Sequence, residues 1–166
     1  MERHTIAVLV NDVPGVLTRV ANLFGQRGFN IDSITVGASE EAGLSRMIIT
    51  TGGDERQLDQ LIKQLNKLID VISVTHLSKD PMVSRELALI KVDATPSQLV
   101  ELNGIVEPFR ASIVDIGPNS LIVQVTGDSD KIDALLVLLQ PYGIRELTRT
   151  GSIAMARSIV PAAAAV

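Results

Sequence analysis

The hydrophobic and polar positions along the first half of the chain predict the element order βαββαβ. Runs rich in β-branched residues predict four strands, at residues 5–10, 30–36, 44–51 and 71–77. Two stretches in which apolar residues recur every three or four positions predict helices. The first helix follows a turn at Gly15 and is predicted to stop at Gly28. The second follows Asp54, a residue type that favours the N-cap position.

The same element order recurs in the second half of the chain. Four further strands are predicted at residues 86–92, 112–116, 121–126 and 144–149. Thr95 is predicted to cap a helix whose first residue is Pro96 and which runs to about Phe109. A second helix is predicted from its cap at Asp128 to Leu139.

The two halves resemble each other in sequence. Residue types at 47–54 match those at 121–128 at a constant offset, which indicates an internal duplication. We therefore predict an α+β protein of two ferredoxin-like βαββαβ domains, with antiparallel sheets and helices on one face. The predicted boundaries are 1–77 for the N-terminal domain, 78–83 for a linker, 84–158 for the C-terminal domain and 159–166 for a disordered, alanine-rich tail.

The second strand of the first unit has the character of an edge that pairs with another chain. Right-handed crossovers place the first and third strands of such a unit in the centre of the sheet and the second and fourth at its edges. Residues 31–36 carry β-branched side chains on both faces, and Asp32 is their only charge. An edge with so little charge is prone to pair. We therefore expect a homodimer in which two such strands meet across a two-fold axis.

Composition and charge disfavour or exclude several classes of function. The 15 Lys and Arg residues against 19 Asp and Glu give a net charge of -4, and aromatic residues make up 2% of the chain. Both values disfavour nucleic-acid binding, which needs basic surfaces and stacking rings. The absence of cysteine excludes disulfides, thiolate metal ligands and a thiol nucleophile.

Hydropathy along the chain predicts a cytoplasmic protein. No apolar run approaches the roughly 20 residues that span a membrane. The first residues lead straight into a predicted strand, without the apolar core of a signal sequence. We therefore expect no membrane partner.

Residues capable of catalysis or metal binding do not form a recognisable motif. Neither a phosphate-binding loop nor a dinucleotide-binding glycine motif is present. His4 and His76 lie in or beside neighbouring strands and are expected to be solvated surface imidazoles rather than a catalytic pair. The carboxylates of Glu40 and Glu41 lie at a predicted turn, and that of Asp128 at a helix start that favours negative charge. We expect no catalytic residue and no metal site.

The turn between the first strand and the first helix is the best candidate for ligand binding. Gly15 has no Cβ, so a ligand can approach the unpaired N–H groups at the helix start, where the helix dipole favours an anion. Asp12 can cap the helix or accept a hydrogen bond from an ammonium group. These groups together suit an α-amino acid, and Asn30 could face them from a second copy of the chain. An ordinary turn with no ligand is the alternative.

The residues around this turn belong to a longer pattern. The pattern comprises Asp12, Pro14, Gly15, Val16 and Leu17 at the turn, Gly28, Phe29, Asn30 and Ile31 before the second strand, and further matches at 27–37, 44–47, 67–74, 85–92 and 151–157. The turn and the second strand resemble those of ACT domains, which are small amino-acid-sensing βαββαβ modules. The whole pattern, from about residue 3 to 158, is similar to the small regulatory subunits of acetohydroxyacid synthase, also called acetolactate synthase.

This resemblance implies a non-catalytic regulatory subunit that activates a catalytic subunit and confers feedback inhibition by valine in branched-chain amino-acid biosynthesis. It implies a valine site between ACT domains that comprises Asp12, Pro14, Gly15, Val16, Leu17, Asn30 and Ile31. Asp12 stands where the family often has Asn. Thiamine diphosphate, magnesium and FAD are implied for the catalytic subunit, so no cofactor is expected on this chain. The second half lacks the turn motif, so we expect no second amino-acid site there.

Three classes of function compete at this point. The first is the valine-sensing regulatory subunit, and the second is an amino-acid-responsive ACT regulator of another enzyme or of transcription. A transcription regulator needs a helix-turn-helix or a basic face, and the sequence displays neither. The third is a small enzyme on a ferredoxin-like scaffold, which needs a nucleophile and a base that the sequence does not bring together.

Overall fold

The computed structural model describes residues 2–158. These residues divide into two compact units. The first comprises the described chain up to Val83 together with its described residues from Ile153 onwards, and the second comprises Ser84–Ser152. The tail expected at residues 159–166 lies outside the described residues.

The first unit has the predicted βαββαβ order. Its elements are β1 (Arg3–Asn11), α1 (Val16–Gln26), β2 (Ile31–Ala38), β3 (Leu44–Gly52), α2 (Glu55–Leu65) and β4 (Val71–His76). The sheet is antiparallel with the order β2-β3-β1-β4. This order confirms the prediction that the first and third strands are central and the second and fourth lie at the edges.

The core of the first unit forms between one face of this sheet and the two helices. Alternate residues of β1 and β3 meet the apolar sides of α1 and α2, as their periodicities of two and 3.6 residues require. Its largest fully buried side chains are Ile6, Phe24, Met47, Ile49, Leu58, Leu61 and Leu65. Asp54 caps α2 as predicted, since its carboxylate accepts from the N–H groups of Arg56 and Gln57 at 3.0 and 3.1 Å.

The second unit repeats this topology. Its elements are β5 (Met82–Asp93), α3 (Leu99–Val106), β6 (Ser112–Ile116), β7 (Ser120–Gly127), α4 (Ser129–Leu139) and β8 (Ile144–Arg149). The strand order β6-β7-β5-β8 matches that of the first sheet, and Asp128 caps α4 by accepting from the Lys131 N–H at 2.8 Å. Leu135 and Leu139 are fully buried, as are Leu61 and Leu65 at the equivalent positions of α2. The fold class predicted from the sequence is confirmed.

The helix predicted from Pro96 to Phe109 is shorter than expected. Residues Pro96–Gln98 and Glu107–Phe109 form 3-10 turns on either side of the α-helix. Pro108 explains the early end, because proline cannot donate the next helical hydrogen bond and its ring clashes with the preceding turn. At the other end Gln98 Oε1 accepts from the Thr95 N–H at 3.0 Å, and this hydrogen bond fixes the start of the helical segment at Pro96.

Residues 2–158 contain one strand that the sequence pattern did not predict. β9 (Ile153–Ala156) pairs with β5, and the Arg157 N–H donates to the Pro81 carbonyl at 2.9 Å. The segment expected as a linker, 78–83, contains part of the 3-10 turn Leu77–Lys79 and the start of β5. The domain boundaries given above stay a prediction.

Candidate functional site

The turn between β1 and α1 has the backbone geometry that the ligand hypothesis needs. Gly15 is the N-cap residue of α1 and lies in the left-handed region, at φ 86° and ψ -7°. A residue with a Cβ is strained in that conformation, so glycine suits this position. The Val16 N–H donates to the Val13 carbonyl at 3.4 Å, so the N–H groups of Leu17 and Thr18 are the donors at this helix start that have no partner within the helix.

Asp12 does not cap α1, contrary to one of the roles considered for it. The N-cap position belongs to Gly15, three residues further along, and no side chain caps the helix there. The Asp12 N–H instead donates to the Gly43 carbonyl at 2.9 Å, which ties the turn to the connection between β2 and β3. The Asp12 side chain is exposed. Its carboxylate is therefore accessible to a cationic group.

The remaining residues of the turn have distinct roles in the fold. Val16 is buried in the core of the first unit, so only its backbone can meet a ligand. Pro14 and Leu17 are exposed. The structure thus brings Asp12, Pro14, Gly15 and Leu17 together on one accessible surface, with Val16 anchoring α1 behind it.

Two charged residues that the sequence analysis did not single out border this turn. Arg19 lies one helical turn beyond Gly15, and its Nη1 is 3.3 Å from the position that a Cβ on Gly15 would occupy. Its Nη2 donates to the Asp70 carboxylate, just before β4. The Asp70 carbonyl in turn accepts from the Asn11 N–H at 2.8 Å. The spacing of four residues from Gly15 could have indicated Arg19, because such residues share a helix face.

Asn30 and Ile31 lie at the other end of the sheet from this turn. The Asn30 carbonyl accepts from Thr51 Oγ1 at 2.5 Å, and Thr51 pairs with His4 near the start of β1. The turn follows Asn11, at the end of β1. At about 3.4 Å per residue these two ends are roughly 24 Å apart. One copy of the chain therefore does not bring the two groups of predicted site residues together.

The two histidines approach each other but are not the solvated surface pair expected from the sequence. The ring centroids of His4 and His76 are 5.2 Å apart in an edge-to-face arrangement. His4 is buried and its Nε2 lies 3.0 Å from the Gly53 carbonyl oxygen, while neither ring nitrogen of His76 has a hydrogen-bond partner among the described residues. The sequence does not reveal this burial, because it depends on how β1 and β4 pair.

The electrostatics of this pair disfavour a proton on His76. Burial, followed by the fields of His4 and Lys79, lowers the pKa of His76, and Asp59 and Glu55 oppose this shift. The pair of imidazoles includes no nucleophile that His76 could activate. The pair therefore has the character of a structural contact within the first unit.

The other polar clusters are accounted for by local structure. Glu40 pairs with Arg46 at 2.9 Å, and Asp128 is a helix cap. Within residues 2–158, no group of three or more histidine, aspartate or glutamate side chains is placed to hold a metal ion. No helix in the same part of the chain is long and apolar enough to cross a membrane.

Comparison with known proteins identifies the family of this chain. Residues 6–73 match the family model described as the AHAS small subunit-like ACT domain, and residues 85–158 match the model described as the small subunit of acetolactate synthase. The chain belongs to the acetolactate synthase small-subunit family. The two models together cover most of both βαββαβ units. The resemblance found from the sequence is therefore confirmed.

Individual relatives within the acetolactate synthase small-subunit family match along nearly their whole length. The probable acetolactate synthase small subunit of Archaeoglobus fulgidus is 52% identical over 155 residues, which cover 93% of this chain and 97% of the relative. The acetolactate synthase small subunit of Bacillus subtilis is also 52% identical, over 93% and 91% of the two chains. The crystal structure of the Thermotoga maritima small subunit is 42% identical, with a TM-score of 0.84 over 95% of this chain and 98% of that one.

Proposed function

We propose that this chain is the regulatory subunit of an acetolactate synthase, that it activates the catalytic subunit, and that it confers feedback inhibition by valine. The observation that carries the proposal is the accessible helix start at Gly15, in a chain of this family. A carboxylate at this helix start is stabilised by the N–H groups and by the helix dipole. The exposed Asp12 carboxylate is an acceptor for the ammonium group of the same amino acid.

The complete valine site requires a second copy of the chain. Ala38 pairs with Ser45, which pairs with Val10, so β2 ends at the same end of the sheet as the turn. β2 is an edge strand of its sheet. If two β2 strands pair antiparallel across a two-fold axis, the start of one lies beside the end of the other.

This pairing brings the separated site residues together. The partner subunit's Asn30 and the partner subunit's Ile31 then lie at the same end of the sheet as the turn at Gly15, on the far side of β2 and β3 from β1. The amide of the first is suited to hydrogen-bond the ligand, and the second, with Leu17, offers apolar surface to the valine side chain. Two equivalent sites form at the interface of the homodimer.

In this proposal the catalytic subunit, and not this chain, catalyses acetolactate formation. Thiamine diphosphate, magnesium and FAD would be held by the catalytic subunit, and this chain would act on it in the cytoplasm without a catalytic residue of its own. Valine should bind more tightly than alanine, because two additional carbons in an apolar pocket contribute roughly 1–3 kcal/mol each.

Reconstitution tests the proposal. The purified chain is mixed with the catalytic subunit of the same organism, and acetolactate formation from pyruvate is measured with and without valine. We expect the chain to raise the rate and valine to lower it. A rate that does not respond to the chain would contradict the regulatory role, and an activated rate that does not respond to valine would contradict the effector. In the first case an ACT regulator of another target becomes the better interpretation.

A further inference from the structure

The candidate site is bordered by a cation, the guanidinium of Arg19. Arg19 Nη1 lies 3.3 Å from the position of a Cβ on Gly15, so the guanidinium lies against the turn. Asp12 is the only other charged residue between positions 11 and 19. The turn is therefore bordered by one positive side chain, Arg19, and by two negative ones, Asp12 and Asp70, of which Asp70 is paired with Arg19.

The two terminal nitrogens of the guanidinium have different surroundings. Nη2 donates to the Asp70 carboxylate, whereas Nη1 is the atom that a Cβ on Gly15 would meet. A guanidinium has five N–H donors in a planar fork and can hold two carboxylates at once. The side chain is about half exposed, so a ligand can reach it from solvent.

We propose that Arg19 is the residue that recognises the charge of the effector's carboxylate, through Nη1, and that Asp70 is a positioning residue that holds the guanidinium over Gly15. This inference rests on the proposed valine site and adds the residue that makes the site specific for an α-carboxylate. The helix N–H groups donate to a neutral carbonyl as well as to a carboxylate, whereas the guanidinium discriminates by charge.

The test compares valine with valinamide, which keeps the ammonium group and the side chain but has no carboxylate charge. Affinities of both ligands for the intact chain are measured by calorimetry at about pH 6.5, where both amines are protonated. Arg19→Gln should weaken valine binding by at least about tenfold, as expected for a lost charge-assisted hydrogen bond. The affinity of the Arg19→Gln variant for valinamide should differ from that of the wild type by less than about threefold.

Asp70→Asn separates recognition from structure. It keeps an oxygen that can accept from Arg19 Nη2 but removes the charge of the ion pair, so it should reduce the preference for valine over valinamide by less than Arg19→Gln does. If Arg19→Gln weakens both ligands equally, Arg19 acts only by holding the turn and the inference is wrong. If Asp70→Asn leaves the preference for valine unchanged, Asp70 does not position the guanidinium and that part of the inference is wrong. Asp59→Asn is the matched control, because it removes a carboxylate from an exposed ion pair on α2.

The wild-type measurement distinguishes failure of this inference from failure of the proposed function. A wild-type chain that binds neither ligand contradicts the valine site itself. A wild-type chain that binds valine and valinamide with equal affinity keeps the site and overturns the role of Arg19.

Discussion

The imidazole rings of His4 and His76 face each other edge to face, 5.2 Å apart, where β1 and β4 meet. Burial lowers the pKa of His76 below its ordinary value of 6.5, so the unfolded chain binds this proton more readily than the folded chain does. Stability from this group is therefore complete above about pH 6.5 and is lost as the pH falls towards the lower pKa of the folded state.

The first prediction is that His76→Phe flattens the pH dependence of stability in the acidic range. Phenylalanine keeps an aromatic ring against His4 and carries neither the titrating group nor the two unpaired nitrogens. The melting temperature of the wild type should fall more steeply than that of the variant between about pH 6.5 and pH 5. Because carboxylate titration affects both proteins alike, the difference between the two curves is the relevant quantity. Parallel curves of melting temperature against pH would contradict the assignment of this pH dependence to His76.

The second prediction concerns the space beside Phe29. A Cβ on Gly53 would lie 2.6 Å from Phe29 Cε1, and this ring is buried against the core. Gly53→Ala should destabilise the chain by about 1–3 kcal/mol, the usual cost of overpacking. Gly25→Ala is the matched control, since that glycine lies in α1 with open space around it, and alanine should stabilise the helix by about 0.5–1 kcal/mol. Urea unfolding measures both changes, and equal effects would contradict the packing argument.

The third prediction concerns a buried ion pair in the second unit. Glu86 is 5% exposed, and its carboxylate accepts from Arg149 Nε and from Ser129 Oγ. Arg149→Met would leave this carboxylate buried without its cation, which should cost about 3–5 kcal/mol.

Lys79→Met is the control for that prediction. Lys79 bridges Glu55 and Asp59 on the surface, so its removal should change the unfolding midpoint little. A comparable loss for both variants would mean that the burial of Glu86 does not determine the effect.

Local patterns made the fold predictable. The caps at Asp54 and Asp128 are made by residues next to the helices they start, and the apolar spacing of α1 and α2 is visible in the sequence. β9, at Ile153–Ala156, was missed because a strand of four residues is too short for alternation to stand out.

The candidate site was only partly predictable, for a physical reason. The turn at Gly15 depends on adjacent residues and could be found from them. The contact between Arg19 and Asp70 joins residues 51 positions apart, and it exists only because β4 returns beside β1. The separation of Asn30 from Gly15 along the sheet likewise follows from strand direction, which residue types alone do not reveal.

The fourth prediction tests the homodimer. Val36 is 48% exposed on the edge strand β2, and Val36→Asp would place two like charges near the proposed two-fold axis. Light scattering should give a dimer for the wild type and a monomer for the variant at micromolar concentration. Val114→Asp is the control, because Val114 is 51% exposed on β6, the equivalent edge of the second unit. A variant at Val36 that stays dimeric would exclude pairing through this edge.

The last prediction separates charge from shape at the effector site. Gly15→Asp and Gly15→Asn introduce side chains of nearly the same size into the same left-handed position, and both carry the same backbone strain. Their Cβ would also lie 3.3 Å from Arg19 Nη1. Only the aspartate places a negative charge at the helix start, where it would compete for the N–H groups and the guanidinium that the ligand carboxylate needs.

We therefore expect Gly15→Asp to abolish inhibition by valine while activation of the catalytic subunit persists, and Gly15→Asn to retain measurable inhibition at higher valine concentrations. Valine titrations of the reconstituted enzyme measure the inhibition of both variants. Full inhibition of the Gly15→Asp enzyme by valine would show that this turn is not part of the effector site.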